Sequence, residues 1–467
     1  ALDHPNLLVA VEHLAISPSG RAHGDVLADL SSFWEVRGHW QLAVQQLSRY
    51  LARPDRDPAV DGDVLRAAGV ILVRTGDNAE AQRRLNEGLA AARENGQRLL
   101  EARILANLAS VASHRGDPSE ARILLEDALS IVRELDDRGL EGQLLGNLGG
   151  LANIIGDFVA ARVSFEESLA IARELNDRVE VGSQAGNLAA VAYTTGDYAA
   201  ARVWLEEALA VAREVGDLRK EAFCLGGLGG LANVDKEVDD ARALYGEALR
   251  IVKELGDREG EARFVGVLGA MATGVGDHAE ARARLEEALG ISLELGNRMK
   301  EGEWHGRLGD VAYSAGDLEE ARTQLRAALA IAEEMGDRQF GRTWTSLLGE
   351  VACDAGDYAE ARALFEDALR VSSEIAMPHP DALVGCARLL VVKRRFEDAA
   401  ELLASAAMSP KRRDLSLGEQ TRTDAAMAAC RSALGAAALE SALARGRDLD
   451  VKQAGDVALD YLARASI

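Results

Sequence analysis

The sequence predicts an all-α solenoid, and three observations lead there. A forty-residue unit recurs in strict register: Gly-Asp stands at Gly76-Asp77, Gly116-Asp117, Gly156-Asp157, Gly196-Asp197, Gly276-Asp277, Gly316-Asp317 and Gly356-Asp357, and Lys236-Glu237 fills the slot where the pair fails. Five residues after each Gly position comes an alanine: Ala81, Ala121, Ala161, Ala201, Ala241, Ala281, Ala321 and Ala361. No Pro falls between Pro118 and Pro378, aromatic residues make up 4% of the chain, and Ala, Leu, Glu and Arg dominate, as uninterrupted helices require. Units of this period bury their apolar faces only by stacking on neighbours, so the 467 residues read as one array, not three globular domains.

Residues 178–215 show how one unit folds. Val181, Ala185, Leu188, Ala189 and Ala192 have helical spacing, and Ala201, Leu205, Ala208, Leu209 and Ala212 repeat it. Between the two segments Thr194-Thr195-Gly196 ends the first helix and Asp197 caps the second, which gives two antiparallel helices joined by a tight turn. Glu follows Asp by three residues at Asp77/Glu80, Asp117/Glu120, Asp277/Glu280, Asp317/Glu320 and Asp357/Glu360, the spacing of a reciprocal capping box, and Pro118 suits a first helical position. Arg122, Arg162, Arg202, Arg282 and Arg362 each precede a Glu by four residues, which predicts weak ion pairs along a wet outer ridge.

A formal net charge of −23 argues against direct nucleic-acid binding and against an anionic membrane surface, both of which call for clustered Lys and Arg. Cys224, Cys353, Cys386 and Cys430 are far apart with no CxxC pairing, and read as reduced, mostly buried thiols of a cytoplasmic protein. There is no signal peptide and no apolar run long enough to span a bilayer. No phosphate loop, HExxH or GxSxG occurs, and the eight His are scattered, so no catalytic residue, metal site or cofactor is expected. The acidic turn residues are expected to cap helices, not to ligate.

Leu228-Gly229, Ala232, Ala241, Tyr245 and Ala248 have the relative spacing of the tetratricopeptide signature, and Leu188-Ala189, Ala192, Ala201, Leu205 and Ala208 repeat it. The chain resembles a tetratricopeptide-repeat protein of a forty-residue subtype. The full expectation is a right-handed superhelix of about ten hairpins with the alanine column at the hairpin crossings. Leu30, Gly38 and Ala43 begin a degenerate first unit, and Ala382 to Ala404 form the last. Residues 1–22 are then an N-terminal capping and linker segment with a helix from Asp3 to Leu14, 23–405 the array, and 406–467 capping helices, about three of them between Gly418 and Leu462.

The resemblance implies that the first helix of each hairpin lines a concave inner wall. The position before the repeated Leu reads Asn107, Asn147, Asn187, Gly227, Val267, Arg307 and Leu347. A row of amides can clasp the backbone of an extended peptide, as kinesin light chain, Pins-type adaptors and bacterial peptide-pheromone receptors do with inner-wall Asn; alternatively these Asn brace the next helix or face water. Gly146, Gly150, Gly182, Gly186, Gly226 and Gly230 lie on or near the same face, where either a neighbouring helix or a ligand approaches closely. Farther along, Arg263, Glu303, Arg307, Asp310 and Glu350 bring charge, and Tyr193 and Tyr313 hold equivalent positions. The candidate ligand-binding set is Asn107, Asn147, Asn187, Tyr193, Arg263, Arg307, Asp310, Tyr313 and Glu350, with Arg263 and Arg307 orienting an acidic group of a peptide or protein partner. Trp304 and Trp344, one repeat apart, read as packing residues before a stacking clamp.

The opening, with Asp3, Asn6 and Leu7, resembles the segment after the winged-helix part of STAND-class signalling ATPases, and the ending, with Gly435 and a Gly446-Arg447 turn, resembles the close of the repeat domain in the same bacterial regulators. That resemblance implies a sensor domain whose ATPase partner lies elsewhere in a full-length polypeptide, joined to a DNA-binding or cyclase module. The absence of Met at Ala1 fits either a fragment or a trimmed start. A self-contained adaptor holding a peptide tail is the alternative.

Overall fold

Each tight turn is built by the same backbone economy. In the computed structural model, which describes residues 20–37, 39–374, 380–408 and 417–465 together with Val11, His13 and Ala15, Gly76, Gly116, Gly156, Gly196, Gly276, Gly316 and Gly356 all take positive φ between 77° and 86°. That conformation ends one helix and turns the chain into the next with no Cβ penalty. The following Asp accepts a hydrogen bond from the backbone N–H three residues on, at 3.0 Å from Ala200 to Asp197 and 3.1 Å from Glu320 to Asp317.

The capping box is only half formed. The N–H of Asp317 already donates to Ala312 O at 2.9 Å, leaving nothing for Glu320 to accept, and the Glu320 carboxylate accepts instead from Gln324 at 2.8 Å. The same backbone bond occupies Asp77 and Asp117. Among the described caps a reciprocal box forms at Asp450 and Gln453.

The described residues form helices and no strands, in an order of ten hairpins followed by three further helices. The first unit of the chain, Ala1–Asp217, holds α1 (Gly20–Arg37), α2 (Trp40–Leu51), α3 (Pro58–Arg74), α4 (Asn78–Glu94), α5 (Arg98–His114), α6 (Pro118–Glu134), α7 (Arg138–Ile154), α8 (Phe158–Glu174), α9 (Arg178–Thr194) and α10 (Tyr198–Val215). The second, Leu218–Ile467, holds α11 (Leu218–Val234), α12 (Val238–Leu255), α13 (Arg258–Gly274), α14 (His278–Leu295), α15 (Arg298–Ser314), α16 (Leu318–Met335), α17 (Arg338–Asp354), α18 (Tyr358–Glu374), α19 (Pro380–Val392), α20 (Phe396–Ala407), α21 (Leu417–Ala433), α22 (Ala436–Arg447) and α23 (Val451–Arg464). Asp3, Asn6, Leu7, Gly38 and most of the expected Asp3–Leu14 helix lie outside the described residues.

Packing explains the small residues. Every alanine of the repeated column is buried, from Ala81 to Ala361. Within hairpins, Gly149 faces Phe165, Gly229 faces Tyr245 and Gly349 faces Phe365, each so closely that a Cβ would come within 2.6–3.1 Å of the ring. A large side chain on the second helix therefore sits where the first helix has none.

The caps of a second set of turns, between hairpins, do not follow from the repeated identities. Asp137, Asp177, Asp257, Asn297 and Asp337 cap the first helices, each preceded by a positive-φ residue: Asp136, Asn176, Gly256, Gly296 or Gly336. The next residue is Arg in each case, and an Arg at this position clamps the hairpin: Arg98 donates to Glu101 at 2.7 Å and Glu134 at 2.9 Å, Arg138 to Glu141 and to Glu174 at 2.7 Å, Arg258 to Glu261 and Glu294 at 2.6 Å. Arg93, from the preceding hairpin, also donates to the buried Glu101 at 2.7 Å. Burial alone would raise the Glu101 and Glu141 carboxyls, but their two arginine hydrogen bonds outweigh it and hold both below the ordinary value. Along the outer ridge Arg362 meets Glu366 at 2.6 Å, while Arg122 reaches Asp157 of the next hairpin at 4.0 Å.

At the C-terminus α22 packs on α20, and α23 packs on α18 and α19. Gly446 is not a turn residue: it lies inside α22, where a Cβ would overlap the Glu401 carbonyl of α20, and Arg445 holds Glu401 at 2.7 Å.

Candidate functional site

In the first unit the three Asn share one position on α5, α7 and α9, but their surroundings differ. Asn107 is half-buried, and its amide oxygen is shut off from solvent with no hydrogen-bond partner among the described residues. Asn147 is exposed. Asn187, also exposed, donates to Gln184 at 3.2 Å, and Gln184 donates to Glu180 at 2.6 Å.

The glycines around them divide between the two explanations. Gly146 is filled by its neighbour, since a Cβ there would meet Gln184 Nε2 at 2.8 Å, and Gly226 in the second unit is likewise covered by Phe264 at 2.7 Å. Gly150 has nothing within 4 Å of a built Cβ. Beside the Asn row, one turn earlier on the same helices, stand Arg103, Gln143 and Ser183, a polar column whose residue type does not repeat and so leaves no mark in the repeat pattern. Burial pushes the Asp63 carboxyl up, with Arg66 and Arg103 opposing and Asp25 and Asp29 adding to the shift.

Tyr193 lies at the end of α9, exposed, its ring 5.4 Å from Tyr198 across the tight turn. It pairs with the turn and does not join the Asn.

The second unit presents a different face. Arg263 is exposed, with its guanidinium 4.7 Å over the Phe264 ring, and Arg307 is exposed at 6.0 Å from the Trp344 ring. Asp310 is half-buried, and Glu303 accepts from Lys300 at 2.7 Å. Trp304 and Trp344 are buried packing residues: Trp304 covers Gly266 and donates to Ser292 at 3.0 Å, and Trp344 covers Gly306.

Tyr313 and Glu350 are not an open groove lining. Tyr313 is buried and its hydroxyl donates to Asp354 at 2.6 Å, with its pKa pushed up to about 12, chiefly by burial. Glu350 is buried and paired with Arg388, and Arg422 of α21 stands 3.8 Å away with its guanidinium 4.7 Å over the Tyr313 ring. The signal for this lay in Arg422, which sits outside the repeats and so outside any comparison of repeat positions.

All four cysteines are buried and none is in a disulfide, and burial raises the Cys353 thiol to about 11 and the Cys386 and Cys430 thiols above their ordinary value. Among the described residues no group of three or more His, Cys, Asp or Glu is placed to hold a metal, and no helix is long and apolar enough to cross a membrane.

Consecutive hairpins with a small-residue crossing and capped turns at a fixed period define an all-α repeat protein of the tetratricopeptide class. Tetratricopeptide-repeat family models match residues 62–134, 100–174, 140–214, 183–254, 220–294, 264–334 and 352–412, more than half of the sequence. The chain belongs to the tetratricopeptide-repeat family. No curated protein matches it significantly. Among solved structures it is similar to a STAND protein with a tetratricopeptide-repeat sensor from Pyrococcus horikoshii, at 17% identity and a TM-score of 0.52 over 70% of this chain and 52% of that one. The chain thus spans about half the length of that protein. It is also similar to the apo quorum sensor NprR from B. thuringiensis, at 14% identity and a TM-score of 0.51 over 66% of this chain and 87% of that one, and to apo RapI, at 12% and 0.60 over 76% and 98%. At these identities the likeness is one of fold.

Proposed function

We propose that the chain is a non-catalytic binding domain that seats an extended peptide or protein segment on the first-helix face of its first unit. The observation that carries this reading is the Asn row, in which the Asn107 amide oxygen is sequestered without a partner, Asn147 is exposed and the space over Gly150 is open. A buried polar atom without a partner is costly, so the Asn107 carboxamide gains by turning its oxygen outward to accept from a backbone N–H of a bound segment. The carboxamides at Asn147 and Asn187 supply a donor and an acceptor each at the repeat spacing.

The test compares peptide-library binding by the intact chain with that of the Asn107→Ala/Asn147→Ala/Asn187→Ala variant, with circular dichroism as the check on folding. A loss of tenfold or more in affinity supports the row; undiminished binding by a folded variant places the partner elsewhere.

At a finer level, we read the chain as the sensor module of a bacterial STAND-type regulator that acts in the cytoplasm and signals to an ATPase domain in the same polypeptide. Support comes from the opening segment with Asp3, Asn6 and Leu7 and from the fold shared with the Pyrococcus horikoshii STAND protein. An ATPase-encoding sequence continuous with and upstream of Ala1 would support this; an initiator Met directly before Ala1 would favour a stand-alone adaptor.

A further inference from the structure

The Tyr313 cluster is neutral only because of a residue that comes from outside the repeats. Glu350 and Asp354 of α17 contribute two carboxylates. Arg388 of α19 meets both, Glu350 in direct contact and Asp354 at 2.6 Å. That leaves one negative charge, and Arg422 answers it: its Nε stands 3.8 Å from Glu350 and its guanidinium carbon 4.7 Å from the centroid of the Tyr313 ring. The phenol is held in place for that contact by its hydrogen bond to Asp354. A flat aromatic face and a buried carboxylate set side by side are the two features that recognise a guanidinium, through its planar π surface and its charged N–H edge together.

The helix that delivers Arg422 buries few of its described side chains. The described buried side chains of α21 are Thr423, Ala426 and Cys430, whereas α20 buries eight residues, Leu402 and Leu403 among them. Small buried area means a low cost of local opening. At the equivalent position in the first unit, Tyr193 is 44% exposed, against 6% for Tyr313, so the tyrosine position does not bury itself.

We propose that α15 and α17 carry an arginine-binding socket, formed by Tyr313 and Glu350, which the chain's own α21 fills as a releasable strap, and which a partner segment presenting an arginine occupies once α21 has left. The inference rests on the second unit alone and is independent of the Asn row. The strap thereby keeps this part of the first-helix face closed to partners until it is displaced.

The test uses the full chain. Hydrogen–deuterium exchange of Arg422→Ala should show the α21 and α15 amides exchanging at least tenfold faster than in the unaltered chain, with α3 to α9 unchanged. A labelled synthetic peptide of residues 417–433 should bind the Arg422→Ala chain at least tenfold more tightly than the unaltered chain, and the same peptide with Ala at the Arg422 position should bind neither. Tyr313→Phe keeps the ring face and should retain the protection of α21; Tyr313→Leu should lose it. Arg422→Lys, which keeps the charge without the plane, should fall between the unaltered chain and Arg422→Ala. Unchanged exchange in Arg422→Ala, or equal binding of the peptide to both chains, overturns the strap. Full protection in Arg422→Lys or in Tyr313→Leu overturns the socket.

Discussion

The indole of Trp304 lies directly over Gly266, so close that a Cβ on the glycine would come within 2.3 Å of the ring. Gly306 stands in the same relation to Trp344, at 2.2 Å. The large residue of one first helix fills the notch left in the previous one, and neither ring can retreat because both are buried.

Gly266→Ala and Gly306→Ala should therefore each destabilise the fold by about 1–3 kcal/mol through overpacking. Gly150→Ala, where nothing lies within 4 Å, should instead stabilise its helix by about 0.5–1 kcal/mol. Urea denaturation midpoints check both signs, and equal effects at Gly150 and Gly266 would contradict the close seating of Trp304 on Gly266.

Asp197→Ala and Asp317→Ala should cost about the same, ~1 kcal/mol each, because each removes a single cap hydrogen bond. A reciprocal box at Asp317 would make its loss the larger of the two. Glu320→Ala should leave the cap intact, and thermal melts of the three variants separate these outcomes.

The slot at Lys236-Glu237 should respond in the opposite sense. Lys236 is held at φ 64°, a conformation that costs an L-residue roughly 1–2 kcal/mol, and the Glu237 side chain makes no cap hydrogen bond. Lys236→Gly should gain about 1 kcal/mol and Glu237→Asp a comparable amount from the restored cap, read as a rise in Tm.

Acid should weaken the chain in two stages. His23 is fully buried beside Tyr50, with no ring-nitrogen partner among the described residues, and burial followed by the charges of Arg53 and Arg49 lowers its pKa to about 4. The unfolded chain binds that proton at about pH 6.5, so stability falls as pH drops from 6.5 towards 4. Glu101 and Glu141, held below the ordinary carboxylate value, contribute stability that is full above about pH 4.3 and is lost as pH falls through their lowered values. His23→Leu should flatten the upper stage alone and Glu101→Gln/Glu141→Gln the lower, in stability measured from about pH 7 to 3.

Local chemistry made the hairpins legible in the sequence. Gly76 and its equivalents need positive φ, Asp77 and its equivalents need a neighbouring N–H, and Ala81 and its equivalents need a small volume; each requirement acts within a few residues and repeats, so identity at a fixed spacing exposes it. The inter-hairpin turns escaped for the same reason, since Asp136, Asn176 and Gly256 meet one backbone requirement with three different residues. Which wall positions stay open was decided only by tertiary structure. Gly146 and Gly150 look alike in sequence, yet Gln184 of another helix fills the first and nothing fills the second. Tyr193 and Tyr313 occupy the same repeat position, yet Arg422, a residue more than a hundred positions downstream of Tyr313 and outside the repeat, covers one and leaves the other in water. Exposure and electrostatic pairing depend on what the rest of the chain brings within a few ångströms, and a repeat period carries no information about a partner that does not repeat.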